Sequence, residues 1–191
     1  NSSIINEKIL PPNHDITVND VKIAQHKLNK KKKKSNLNDT ELNNKGVKGI
    51  ITGPSTIIHS SRLESFYKDK NHAIIDYAYA IKKEILTLER EGCKYIQIDE
   101  PFLSTGMVDL NVAKEAISIL TEDVQIPVSM HACGNLNQVF KELTKFPVDI
   151  LDFEFAGNSD NIHLLEKNKN LLKGKKLGFG CLDSASKKLD D

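Results

Sequence analysis

Ile126-Pro127-Val128-Ser129-Met130-His131-Ala132-Cys133-Gly134 is the stretch on which the fold turns. Ile126–Met130 is apolar enough for a buried strand, and two groups able to bind a metal follow at once. The same arrangement recurs outward in both directions. Upstream, Lys94–Ile98 is followed by Asp99 and Glu100, and Val47–Ile51 by Thr52 and Gly53. Downstream, Asp149–Phe153 is followed by Glu154, and Lys176–Phe179 by Cys181 and Asp183. Short, mostly apolar runs of this kind suit a parallel sheet covered on both faces.

Helices fill the gaps between the runs. Ile74, Ala78, Ile81, Ile85 and Leu88 recur at spacings of four and three, which places them on one helical face. Asn71 is the expected cap of that helix and Gly92 its stop. Asn111 is expected to cap a helix carrying Val112, Ala116, Ile117 and Leu120. Asn135 is expected to cap one carrying Leu136, Val139, Phe140 and Leu143. A shorter helix with Ile162 and Leu165 follows Ser159.

Alternating strands and helices make an α/β fold. No G-x-G-x-x-G follows a strand and no Walker-type lysine loop occurs, so nucleotide-binding sheets lose support. In a (β/α)8 barrel the strand C-terminal ends build the active site. An open doubly wound sheet gathers its polar groups at one switch point instead. Polar, reactive groups after each successive run therefore predict a (β/α)8 TIM-type barrel as a single domain over 1–191. Ahead of it, Ile16–Leu28 reads as a helix starting near Asp15 or Thr17. Residues 29–45, with the lysine run Lys30–Lys34 and an Asn-rich continuation, read as a solvated flexible loop.

Composition narrows the function classes. The 191 residues carry 27 Lys and Arg against 26 Asp and Glu, a net charge of +1, which gives no global pull on nucleic acid or anionic membrane. No apolar run reaches the roughly 18 residues of a membrane span. Three cysteines, odd in number and sparse, argue against a disulfide framework and for a reducing cytoplasm.

The chemistry concentrates at the predicted strand ends. In an extended segment, residues two apart project to one side, so His131 and Cys133 converge. Zinc takes nitrogen and thiolate sulfur readily and prefers four ligands. Glu154, flanked by Phe153 and Phe155, is costly to bury unless paired or metal-bound. The alternatives are a small core cysteine beside a rim histidine, and a salt bridge from Glu154 to a lysine. Asp99 and Glu100 follow a buried strand directly, and Pro101 fixes the turn after them. The pair reads as a recognition site for a substrate ammonium, as general acid–base machinery, or as structural pairing at the rim. The Thr52-Gly53-Pro54 turn is placed to offer backbone N–H groups to a ligand.

Taken together the segments resemble one family. Gly49-Ile50-Ile51-Thr52-Gly53-Pro54-Ser55-Thr56-Ile57, Tyr95-Ile96-Gln97-Ile98-Asp99-Glu100-Pro101, Met130-His131-Ala132-Cys133-Gly134, Asp149-Ile150-Leu151-Asp152-Phe153-Glu154 and Leu177-Gly178-Phe179-Gly180-Cys181-Leu182-Asp183 are similar, in this order, to the C-terminal catalytic barrel of the cobalamin-independent methionine synthase family, in its short archaeal form. The resemblance implies a Zn2+ held by histidine, cysteine, glutamate and a second cysteine. The first three fall on His131, Cys133 and Glu154. The second cysteine of the family lies in an Asp-Cys-Gly context that has no match, and Cys181 belongs to a different motif. Asp99 matches the aspartate that holds the homocysteine amino group. The implied reaction is methylation of homocysteine to methionine, on a barrel that the resemblance implies is incomplete at both ends.

Where the folate-dependent members read Asp-x-His-Ser, this chain reads Asp183-Ser184-Ala185-Ser186. Methyl-tetrahydrofolate is a poor donor without a proton on N5, and alanine replaces the histidine thought to supply it. A methyl-corrinoid needs no such acid, so a methyl-corrinoid protein is expected as donor ahead of the folate. Two rivals remain. One is a corrinoid methyltransferase of the uroporphyrinogen-decarboxylase-like group acting on another thiol. The other is a non-catalytic barrel fragment, favoured by the unmatched fourth ligand.

Overall fold

The computed structural model describes residues 3–34, 45–183 and 186. Five strands form one all-parallel sheet in the order of the chain: β2 (Lys48–Thr52), β4 (Tyr95–Asp99), β5 (Val128–Ala132), β6 (Ile150–Glu154) and β7 (Lys176–Gly180). Two short strands, β1 (Ile4–Ile5) and β3 (Arg62–Leu63), pair in parallel beside it. A strand order that follows the chain without reversal is that of a barrel wall, and no switch point occurs among the described strands. Among the described residues the wall is not closed: β2 and β7 form its two edges.

Each strand of the five-stranded sheet begins within two residues of its expected start, while β1 and β3 were not expected, and the strands are not apolar on both faces. The register explains why. Thr52, Asp99, His131, Asp152 and Gly178 lie side by side across the sheet, while Ile51 pairs with Ile98, Ile98 with Met130 and Met130 with Leu151. One face is thus a continuous buried apolar layer, with Ile96, Ile98, Met130, Leu151 and Phe153 wholly excluded from water. Full burial of such a side chain contributes about 2 kcal/mol each. The opposite face carries the polar residues and is the inner, concave side of the wall; a barrel builds its site at the C-terminal rim of that side.

The helices that cover the apolar layer are α2 (Pro54–Ser60), α3 (Lys70–Arg90), α4 (Leu110–Thr121), α5 (Phe140–Leu143) and α6 (Asp160–Asn168). The expected face of α3, from Ile74 to Leu88, is buried throughout. Its cap is Asp69 rather than Asn71: the Asp69 carboxylate accepts the His72 N–H at 3.1 Å. In α4 the cap is Asp109 rather than Asn111, accepting from Asn111 N at 2.9 Å. In both cases an anionic acceptor two residues upstream meets the positive end of the helix, and the asparagine sits in the first turn. Gly92 ends α3 with a φ of 86°, a left-handed conformation that suits glycine. The helix expected from Asn135 shortens to α5. Gly134 also takes a positive φ, and Asn135 Oδ1 accepts from Asn137 N at 2.9 Å, forming a turn first.

The predicted loop over 29–45 needs correction. Helix α1 runs Val18–Lys34, so the lysine run Lys30–Lys34 is helical; 35–44 lie outside the described residues. Lysine is a good helix former, and cations at a helix C-terminus complement its dipole. The start of α1 is held from a distance. The buried Glu84 carboxylate of α3 accepts hydrogen bonds from the N–H groups of Ile16 (3.1 Å), Thr17 (2.6 Å) and Val18 (3.2 Å) and from the Thr17 hydroxyl (3.1 Å). Among the described residues no helix is long and apolar enough to cross a membrane.

Candidate active site at the strand ends

Asp99, His131 and Asp152 occupy adjacent register positions towards the C-terminal ends of β4, β5 and β6, with Cys133 one residue past the end of β5 and Glu154 the last residue of β6. The wall is tied together there by Gly53 N donating to Asp99 O at 2.8 Å and Glu100 N donating to His131 O at 2.8 Å. Glu154 reaches across to the β5 exit, where its Oε2 accepts the Gly134 N–H at 2.9 Å. A side chain on Gly157 would collide with Glu154 Oε1, so the glycine leaves this carboxylate its space.

Asn161, at the start of α6, is a residue the sequence reading missed. It is fully buried and bridges the two strand exits: Nδ2 donates to Gly134 O at 2.9 Å and to Glu154 O at 2.6 Å, and Oδ1 accepts from Leu136 N at 3.1 Å. No spacing rule marks it, because its partners are backbone atoms distant in sequence. Asp152 was also missed, although strand alternation places it on the face of Glu154. Its Oδ1 stands 3.7 Å from His131 Nδ1.

Electrostatically the site is rich in negative charge. The Asp152 carboxylate pushes the His131 imidazole pKa up, burial pulls it down, and Asp99 and Glu154 add to the rise. Burial pushes the Cys133 thiol up, and Glu154 and Asp99 push it further. Gln97 Nε2 donates to Asp99 Oδ1 at 2.7 Å, and Lys48 Nζ donates to Gln97 Oε1 at 2.7 Å.

Glu100 is placed otherwise than expected for a substrate-binding group. It is wholly buried, and its carboxylate accepts from Ser55 N at 2.9 Å, Thr56 N at 2.8 Å and Thr56 Oγ1 at 2.7 Å. The backbone donors expected to face a ligand after Gly53-Pro54 are thus taken by Glu100, and the carboxylate is a structural cap. Gly53 lacks a Cβ where one would strike that carboxylate.

As donors, imidazole nitrogen, thiol sulfur and carboxylate oxygen suit zinc, and a half-buried thiol near carboxylates is electrostatically suited to a cation. As placed, no group of three His, Cys, Asp or Glu side chains among the described residues stands within ligating reach of one point. The fit therefore rests on the chemistry of the donor set. Cys181 is exposed at the exit of β7, one residue beyond the Gly180 that pairs with Glu154.

Residues 9–190 match the family described as cobalamin-independent synthase, catalytic domain. The chain belongs to that family. It is similar to a methionine synthase of Methanothermobacter marburgensis, with 46% identity over 187 residues that cover 96% of this chain and 57% of that protein. It is also similar to a methionine synthase of Methanocaldococcus jannaschii, with 47% identity over 146 residues, 75% of this chain and 46% of that protein. Among solved structures it is similar to a B12-independent methionine synthase from Shewanella sp. W3-18-1 in complex with selenomethionine. The TM-score is 0.75 at 21% identity, covering 93% of this chain and 52% of that one. At that identity the likeness is one of fold, and it agrees with the barrel expected for this family. The chain spans about half the length of these relatives.

Proposed function

We propose that this chain carries catalytic machinery for transfer of a methyl group to the sulfur of homocysteine, giving methionine. The observation that carries the reading is the match of residues 9–190 to the catalytic-domain family, with Asp99 and His131 neighbours at the strand ends. In this reading His131, Cys133 and Glu154 hold a zinc ion. His131 turns Nδ1 towards Asp152, so Nε2 would be the nitrogen free to bind a metal. When bound there, zinc supplies a Lewis acid that lowers the pKa of the homocysteine thiol, so that a thiolate is available at neutral pH. Asp99 binds the substrate ammonium by a charge-assisted hydrogen bond. The thiolate sulfur forms a bond to the methyl carbon, the bond from that carbon to its donor breaks, and its electron pair leaves with the donor.

The donor in this reading is a methyl-corrinoid protein rather than methyl-tetrahydrofolate. The support is Ala185 in the position of a proton-donating histidine; it lies outside the described residues.

Elemental analysis of the purified chain and of Cys133→Ser tests the metal. About one equivalent of zinc in the parent and almost none in the variant is expected, with loss of transfer in parallel. A variant that keeps zinc and full activity removes Cys133 from the site. Parallel assays with homocysteine and coenzyme M, each with a methyl-corrinoid and methyl-tetrahydrofolate, identify acceptor and donor. Preference for coenzyme M favours the uroporphyrinogen-decarboxylase-like rival.

A further inference from the structure

We infer that Gln97, held by Lys48, is a positioning residue that aims the Asp99 carboxylate at the ammonium group of the amino-acid substrate. This rests on the reading of Asp99 given above and deepens it.

Gln97 and Asp99 lie two residues apart on β4, so both side chains emerge on the concave, polar face of the sheet. Lys48 lies on the neighbouring strand, opposite Tyr95, and reaches diagonally to Gln97. The result is a line of three groups across two strands, with both contacts at 2.7 Å.

The amide orientation in this line has one solution. A lysine ammonium only donates and an ionised carboxylate only accepts. Gln97 Oε1 must therefore face Lys48, and Nε2 must face Asp99. Gln97 is 9% exposed, so water does not readily replace either bond. Lys48 is steadied in turn, with Nζ 5.7 Å from the centre of the Tyr95 ring.

The consequence falls on Asp99. Gln97 engages Oδ1, while Oδ2 accepts no hydrogen bond among the described residues. One oxygen is clamped and the other is left for a cationic ligand group. Held in one rotamer before the ligand arrives, the carboxylate loses less freedom on binding. A glutamine that merely filled polar space would have no need of the lysine behind it.

The test compares L-homocysteine with 4-mercaptobutyrate, which has the same thiol and carboxylate but no amine. Dissociation constants are measured by calorimetry on the full chain. Gln97→Met keeps the bulk and removes the amide. It is expected to weaken homocysteine about tenfold and leave 4-mercaptobutyrate unchanged. Lys48→Met is expected to weaken homocysteine by about threefold, and Lys48→Arg to restore it, since either cation can donate to Oε1.

Homocysteine affinity within twofold of the parent in Gln97→Met overturns the inference. So does equal loss of both ligands, the mark of a merely structural role. If circular dichroism shows that Gln97→Met does not fold, the two Lys48 variants decide alone. Asp99→Asn separates the inference from its premise. Should it keep the parent's preference for homocysteine, the reading of Asp99 itself falls, and Gln97 falls with it. Should it lose that preference while Gln97→Met keeps it, only the role of Gln97 is refuted.

Discussion

Two adjacent carboxylates, Asp99 and Glu100, take opposite fates because a strand turns successive side chains to opposite faces. Asp99 goes to the concave side, and Glu100 goes inward to the N–H groups of Ser55 and Thr56. Removing the cap in Glu100→Ala strands those donors, and urea denaturation is expected to show a loss of about 3 kcal/mol. Burial pushes the Glu100 carboxyl above its ordinary value, against the pull of its bonds from Thr56 and Ser55. For an acid whose folded pKa is raised, the stability it contributes is fully present below the unfolded pKa and is lost as pH rises through the folded one. The urea midpoint of the parent relative to Glu100→Gln is therefore expected to be most favourable at acid pH, below the ordinary carboxyl range, and to decline as the pH rises. A relative midpoint that climbs with pH would show the hydrogen bonds outweighing burial.

At the scale of elements, the site depends on how strand exits are tied together. Asn161 joins the β5 exit at Gly134 to the β6 exit at Glu154, the two turns that bear the proposed ligands. Asn161→Ala leaves three backbone groups, one buried and two partly buried, without their partner, and a cost of about 3 kcal/mol is expected on thermal or urea unfolding. Its effect on metal binding is a separate measurement. Looser spacing of Cys133 and Glu154 is expected to lower zinc affinity at least tenfold in chelator competition. Unchanged zinc affinity in a folded variant would free the site from this clamp. Helix α1 follows the same logic, since its first turn is capped by Glu84 from another helix. A cap contributed from 67 residues away leaves no local signal, which is why the sequence placed the start of α1 only approximately.

For the whole molecule, the proposed metal and the stability of the strand ends are linked. A ligand that binds only the folded state stabilises by an amount set by its concentration over its dissociation constant, about 4 kcal/mol at a thousandfold excess. Zinc is expected to raise the unfolding temperature of the parent and to leave that of a Cys133→Ser, Glu154→Gln double variant unmoved. An equal rise in both would place the ion elsewhere.

Periodicity carried the five strands of the main sheet, the buried face of α3 and the placement of Asp99, His131, Cys133 and Glu154 at or just past strand ends, because alternation and spacing are local properties of the chain; β1, β3 and helix α2 gave no such signal. The family, too, was legible in five motifs in order, and the match over residues 9–190 bears it out. Partnership was not legible. That Glu100 caps a helix, that Gln97 and Lys48 stand behind Asp99, and that Asn161 joins two strand exits all depend on hydrogen bonds between residues far apart in sequence. Such bonds exist only once packing has brought the strands into register, so the tertiary structure alone could assign them.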